Sequence, residues 1–449
     1  MSMLGNRGGK KIAAMSFFWN AMYAGLNAVQ SAVILFAISR TRELSEAGVI
    51  TIGFTLANLA AILGRYGIRN YQVTDVREEF SFSDYFHVRI LSVAGTLVLF
   101  LAYLAVMILS GRYSGHKGEI ILEVILLKMV DAFEGLYVGR LQQKGRLDIG
   151  ARIATIRAAA STAVIFLLLW FVKSLSLCLL AGLAVSIGLD LLLLRKENRK
   201  GLFRSGRADG QKVGRLLLLA LPLCIGTAMH NYIGNAPKYL VDLFMSDEMQ
   251  AISGYVMMPM FVITLLNTFL MQPMLKSLGD AWDRRDRKAL ARMIGIHTAG
   301  ITAASFLVLG LGIWIGLPLL SWMYSVDLTG YRVEFIWLMI GGTLYTLSAY
   351  AMVLLTTARK QKWIIAGCCL ALMVYLLFGR MLVGTKGLAG ASMLYTVANA
   401  GMLLTFLLVF IVYGRKHLAD PAEASAGGPD ERIPDGAAEK GCDKKGMPQ

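Results

Sequence analysis

Apolar runs long enough to cross a bilayer recur from one end of this chain to the other. A membrane-spanning helix needs about 20 such residues. Inside hydrocarbon every backbone amide must bond within its own segment, so repeated runs of this length specify helices packed side by side. Twelve spans are expected, near residues 13–38, 46–66, 86–110, 119–139, 151–172, 175–194, 216–245, 251–275, 293–320, 333–357, 363–383 and 388–413. The expected fold is all-α, a polytopic membrane protein. The opening MSMLGNRGGKK leads directly into a full-length span, which reads as a first helix rather than a cleavable signal.

Charge tests the span count. The chain carries a net charge of +16, a value that also fits nucleic-acid binding. Its distribution points instead to membrane insertion, because Lys and Arg collect in cytoplasmic loops. Segments 1–12, 65–89, 140–152, 195–215, 276–292, 359–362 and 414–417 hold 30 basic residues, and the alternating connections hold 8. Both termini are therefore expected in the cytoplasm of a cell-membrane protein, and no nucleic-acid partner is expected.

The largest basic loop, 195–215, divides the spans six and six. Residues 1–194 and 216–413 read as two six-helix bundles, and 414–449 as a disordered cytoplasmic tail rich in Pro, Gly, Ala and mixed charge. Each half begins after basic residues, and its second span has a similar entry. The entry is Glu46-Ala47-Gly48-Val49 in one half and Ile252-Ser253-Gly254-Tyr255 in the other. An even number of spans per half gives both the same orientation, a parallel repeat with its substrate site expected between the halves.

The polar residues inside the spans define that site. In Thr227–Asp242, residues Thr227, Asn231, Gly234, Asn235, Lys238 and Asp242 fall within roughly a third of the helical circle. A lysine at membrane depth costs about 2.5–3.5 kcal/mol on insertion scales and is normally turned to a bundle interior or a wet cavity. Pro237 should loosen the helix beside it. The first span carries Ser16, Asn20, Asn27 and Ser31 on one face, with Gln30 at its border. The second carries Thr51, Thr55, Asn58, Arg65 and Arg69, and the eighth carries Met257, Met260, Thr264, Asn267 and Met271. Asparagines also bond neighbouring helices, at about 1 kcal/mol each. With Lys238 among them, the first, second, seventh and eighth spans read as the walls of a chamber. Its expected substrate contacts are Lys238, Asn231, Asn235, Arg65, Asn58, Asn27, Asn20 and Asn267. Asp242, one turn beyond Lys238, can pair with it or take part in ion coupling. His230 reads as a satisfied core histidine or a proton carrier.

Other charges have simpler readings. Lys128, Asp131 and Glu134 can pair along one face of the fourth span, Arg157 can snorkel, and Asp190 can sit at the interface beside the basic loop. Nucleotide-binding, zinc-protease and serine-hydrolase signatures are absent from the sequence. The chain therefore reads as a transporter rather than an enzyme. It needs no cofactor beyond a coupling ion, either a proton or sodium. The five cysteines show no metal or disulfide spacing.

Two stretches carry a family resemblance: ILFAISRTRELSEAGVITIGFTLA and APKYLVDLFMSDEMQAISGYVMM. With the six-plus-six layout over residues 10–415, they resemble the O-antigen-type flippases. These form the polysaccharide-transporter branch of the multidrug/oligosaccharidyl-lipid/polysaccharide (MOP) exporter superfamily. Lys238-Tyr239 takes the family's basic-aromatic place and Gly254-Tyr255 its entry to the next span, while Pro237 stands where the acidic member belongs. The resemblance implies two bundles in a V that rock between inward- and outward-open states. It implies export of an undecaprenyl-diphosphate-linked oligosaccharide, with membrane lipids and other polysaccharide-assembly proteins as partners. The alternatives are a cation-coupled multidrug exporter of the same superfamily, a major-facilitator transporter, and a membrane glycan polymerase or ligase.

Overall fold

A computed structural model describes residues 2–75, 78–198, 203, 208–358, 360 and 362–419. Eight of the 21 residues of the basic linker and the whole tail beyond Ala419 lie outside them.

The described residues are mostly helical and include no strand. The first bundle holds α1 (Ser2–Thr41), α2 (Leu44–Arg65), a short α3 (Ile68–Thr74), α4 (Phe82–Leu109), α5 (Gly115–Gln143), α6 (Leu147–Phe171) and α7 (Leu175–Asn198). The second holds α8 (Gly210–Gly234), α9 (Ala236–Phe244), α10 (Asp247–Val256), α11 (Met260–Asp283), α12 (Arg287–Leu311), α13 (Leu317–Tyr324), α14 (Arg332–Thr357) and α15 (Lys362–Ala419). Together they make twelve transmembrane helices in two six-helix bundles.

Several spans are broken, each for a local reason. The seventh divides into α8 and α9 at Asn235, and Pro237 falls in the first turn of α9, where a missing amide proton costs nothing. The eighth bends by 46° between α10 and α11, across Met257–Pro259. The ninth passes from α12 through a π-helical turn at Gly312–Gly316 into α13. The last two spans form one continuous element bent at Gly387, whose φ of 56° lies in the left-handed region that glycine tolerates.

Composition alone would have missed α5. Among the described residues nine helical segments are long and apolar enough to cross a membrane, α10 with α11 makes a tenth, and α5 is not among them. Its Lys117, Glu123, Lys128, Asp131 and Glu134 are all buried, because α5 is the central helix of the first bundle and packs against α2, α4, α6 and α7.

The bundles meet most closely where α2 packs on α10, at the face poor in Lys and Arg. The two halves of the repeat touch there through their glycines. A Cβ on Gly48 would lie 1.7 Å from the Asp247 carbonyl oxygen, and one on Gly254 would lie 2.6 Å from the Thr51 methyl. At the same face the Arg40 guanidinium donates to the Met323 carbonyl at 3.2 Å and to that of Trp322, joining α1 to α13. The seam is closed on this side.

Candidate functional site

A cavity of about 240 Å³ lies directly beneath that seam, between the bundles. Four spans form it: α1 contributes Ser31 and Leu35; α2 contributes Thr51, Phe54, Thr55, Asn58 and Ile62; the α8–α9 break contributes Asn231, Asn235 and Lys238; and the α10–α11 bend contributes Gly254, Met258 and Phe261. These are the first, second, seventh and eighth spans, as the polar stripes indicate.

Lys238 is 9 % exposed. Its Nζ lies 6.0 Å from the centre of the Phe261 ring, a weak cation–π contact. Among the described residues no carboxylate pairs with it and no acceptor bonds to it. The adjoining polar groups are neutral. Asn235 donates to the Asn231 carbonyl at 3.1 Å, and the Asn231 side-chain oxygen is buried without a donor. Thr51 and Thr55 hydroxyls return to carbonyls one turn back, at 2.8 and 2.7 Å, and so do not compete for Lys238. The result is a small polar chamber with one uncompensated positive charge. An anionic group is its natural complement.

Asp242 does not pair with Lys238. Its carboxylate accepts from Lys117 Nζ at 2.8 Å and from the Tyr113 hydroxyl, and Lys117 also reaches Asp247 at 2.6 Å. One turn of helix would allow the Lys238 pair, but a second lysine from the opposite bundle takes the carboxylate. His230 is likewise committed: its ring stacks on Tyr345 at 4.4 Å and Nε2 meets the Ser348 hydroxyl at 3.2 Å. It is a core histidine.

Four other expected contacts are elsewhere. Asn27 accepts from Lys128 inside the first bundle at 3.2 Å. Asn267 bonds His297 at 2.9 Å inside the second. Arg65 is exposed at the C-terminus of α2, and Asn20 is half-buried two turns before Asn27 on α1, toward the basic-rich face. None of the four lines the chamber.

The larger departure from expectation is a buried charge network in the first bundle. Arg157 does not snorkel: it is 1 % exposed, donates to Glu134 and Ser186, each at 2.8 Å, and forms ion pairs with Asp131 at 2.6 Å and Asp190 at 3.6 Å. Lys128 bonds Asp131 at 3.1 Å and Gln30 at 2.6 Å. Two cations therefore face three carboxylates drawn from two helices. Glu134 Oε1 and Asp190 Oδ1 both lack a hydrogen-bond donor among the described residues. Charged residues on three successive spans were the available signal. Read one span at a time, each had an independent explanation.

No family model matches the chain, and no curated protein does. Solved structures do. A eukaryotic MATE transporter, AtDTX14, aligns over 92 % of this chain and 98 % of its own, with TM-score 0.59 and 14 % identity. The Vibrio cholerae MATE transporter VcmN in its bent form aligns over 91 % and 98 %, with TM-score 0.57 and 13 % identity. A MOP superfamily transporter from Pyrococcus furiosus, whose binding pocket has reverse polarity, aligns over 92 % and 96 %, with TM-score 0.53 and 12 % identity. The likeness is one of fold: this chain has the architecture of the MATE transporters, two bundles around a central cleft.

Proposed function

We propose that this protein carries a lipid-linked oligosaccharide across the cell membrane by alternating access, for assembly of a surface polysaccharide. The observation that carries this reading is the polarity of the chamber: one buried lysine, several amides and hydroxyls, and no carboxylate among the described residues that line it. A diphosphate-linked sugar head needs a cation for its phosphates and amides for its hydroxyls. Its hydrocarbon tail needs no protein interior, because it can remain in the bilayer.

The same polarity separates this reading from the multidrug exporter. A cationic drug requires an acid in the cavity, and the nearby Asp242 lines no part of it and is paired with Lys117. The Pyrococcus furiosus relative is described as having a pocket of reverse polarity and a different function, which supports reading the sign of the pocket as the determinant of cargo.

In this reading the basic-rich face is cytoplasmic, the Gly48–Asp247 seam is the closed outer gate, and cargo loads from inside. An inside-negative potential favours outward movement of an anion by about 2.3 kcal/mol per charge per 100 mV. In this reading the coupling ion, a proton or sodium, would meet the surplus negative charge of Asp131, Glu134 and Asp190 against Lys128 and Arg157, in preference to Asp242 or His230. The test is complementation of a strain lacking the gene. Lys238→Ala should be present and folded in the membrane yet fail to restore surface polysaccharide, with the lipid-linked glycan accumulating on the inner leaflet.

A further inference from the structure

Residues 55, 58 and 62 of α2 face the Lys238 chamber, and their neighbours Leu56, Leu59 and Leu63 face a second cavity of about 330 Å³. The short α9 repeats the pattern, with Lys238 on the first cavity and Tyr239 on the second. The second cavity lies in the seam between the bundles, with α2 and α4 on one side and α8 and α9 on the other. Its lining is aliphatic and aromatic. Leu99 and Leu243, on opposite walls, are 56 % and 39 % exposed, on a surface that lipid tails cover. The one carboxylate at its edge, Asp242, is bonded to Lys117.

Thr55 lines the first cavity and Tyr239 the second, and the two residues touch. The Tyr239 hydroxyl donates to the Thr55 carbonyl at 3.4 Å, a long and weak bond, and its ring stacks on Tyr232 at 4.5 Å. A polar chamber with a free cation thus stands back to back with an apolar groove open to the bilayer. Between them the Tyr239 side chain of one bundle rests on the α2 backbone of the other, a contact that alternating access would open.

We propose that the groove seats the hydrocarbon chain of a phospholipid-type substrate, while Lys238 on the other side of the Thr55–Tyr239 contact holds its phosphates. The inference rests on the reading of the Lys238 chamber as the site of an anionic head group, and it adds the side of the molecule through which the tail reaches that head. The occupant is a polyprenyl or similar chain. The groove holds a segment of it, being at the lower end of ligand-pocket volumes, and the remainder lies in the membrane. Continuity with the polar chamber distinguishes the groove from an ordinary lipid-contacting crevice.

The experiment uses the full-length protein in nanodiscs and two probes: undecaprenyl diphosphate carrying a diazirine on its chain, and inorganic diphosphate, which has no chain. Photolysis should label peptides containing Leu99 or Leu243. Leu99→Trp, at a lipid-facing position that tolerates bulk, should weaken the long-chain probe about tenfold and leave inorganic diphosphate within about twofold. Lys238→Ala should weaken both. Labelling confined to α1 and α11, or spread evenly over the lipid-facing surface, would overturn the groove, as would a Leu99→Trp protein that binds both probes normally. Unchanged binding of both probes to Lys238→Ala would instead overturn the head-group reading, so the two failures are distinguishable.

Discussion

Lys117 of the first bundle places its ammonium 2.8 Å from the Asp242 carboxylate of the second, and Tyr113 bonds the same carboxylate. This relationship does two things at once. It clasps the bundles at the basic-poor face, and it occupies the only acid that helical spacing would have given to Lys238. The free charge in the chamber and the closed seam above it have a common cause.

Lys117→Ala should release the clasp. Removing one partner of a buried pair costs about 3–5 kcal/mol, because the other charge is left without compensation. The closed state loses that stabilisation, so the population shifts toward opening at the outer face. A Ser31→Cys reporter in the chamber should react with an externally added impermeant maleimide about tenfold or more faster in the Lys117→Ala background. An unchanged rate would mean the ion pair does not hold the seam.

Gly48→Ala should act in the same direction by steric means. Its Cβ would sit 1.7 Å from a backbone oxygen, which no rotamer change can relieve. Forced repacking costs about 1–3 kcal/mol, taken from the closed state. Gly95→Ala, with nothing within 4 Å of its added carbon, is the matched control and should leave the labelling rate unchanged.

Asp190→Asn should uncouple transport from its ion without disturbing the chamber. The substitution removes the surplus negative charge of the Arg157 network and keeps the side chain's shape. In reconstituted vesicles the wild type should respond to an imposed proton or sodium gradient and the variant to neither, while both bind undecaprenyl diphosphate alike. A variant that still responds as the wild type does would remove this network from the coupling path.

Asn267→Ala should be a stability variant only. The loss of its bond to His297 costs about 1 kcal/mol and should lower the melting temperature with no change in substrate affinity. A selective loss of affinity would return Asn267 to the binding site.

The division between what the sequence revealed and what it did not follows from the physics of helices. Periodicity fixes which residues of one helix share a face, so the twelve spans, the Asn231–Lys238 stripe and the four walls of the chamber could all be read in advance. It does not say which neighbour that face meets. Lys117 and Asp242 are 125 positions apart, Lys128 and Asn27 are 101 apart, and no spacing rule joins them. For the same reason Asn27 and Asn267, polar and inward-facing as expected, went to partners within their own bundles. The hydropathy of α5 was the reverse case. Its charges weakened the span signal because the helix is surrounded by protein and each charge has a partner there. The break at Asn235 was legible through Pro237, since proline acts on its own backbone and needs no knowledge of the fold.

The most direct test of the central claim is the affinity of the purified protein for undecaprenyl diphosphate with Lys238 replaced. Charge-assisted hydrogen bonds contribute about 1.5–3 kcal/mol, so Lys238→Ala should weaken binding roughly 10- to 150-fold, and Lys238→Arg should recover most of it. Wild-type affinity in Lys238→Ala would contradict the account, because nothing else among the residues lining the chamber carries a positive charge.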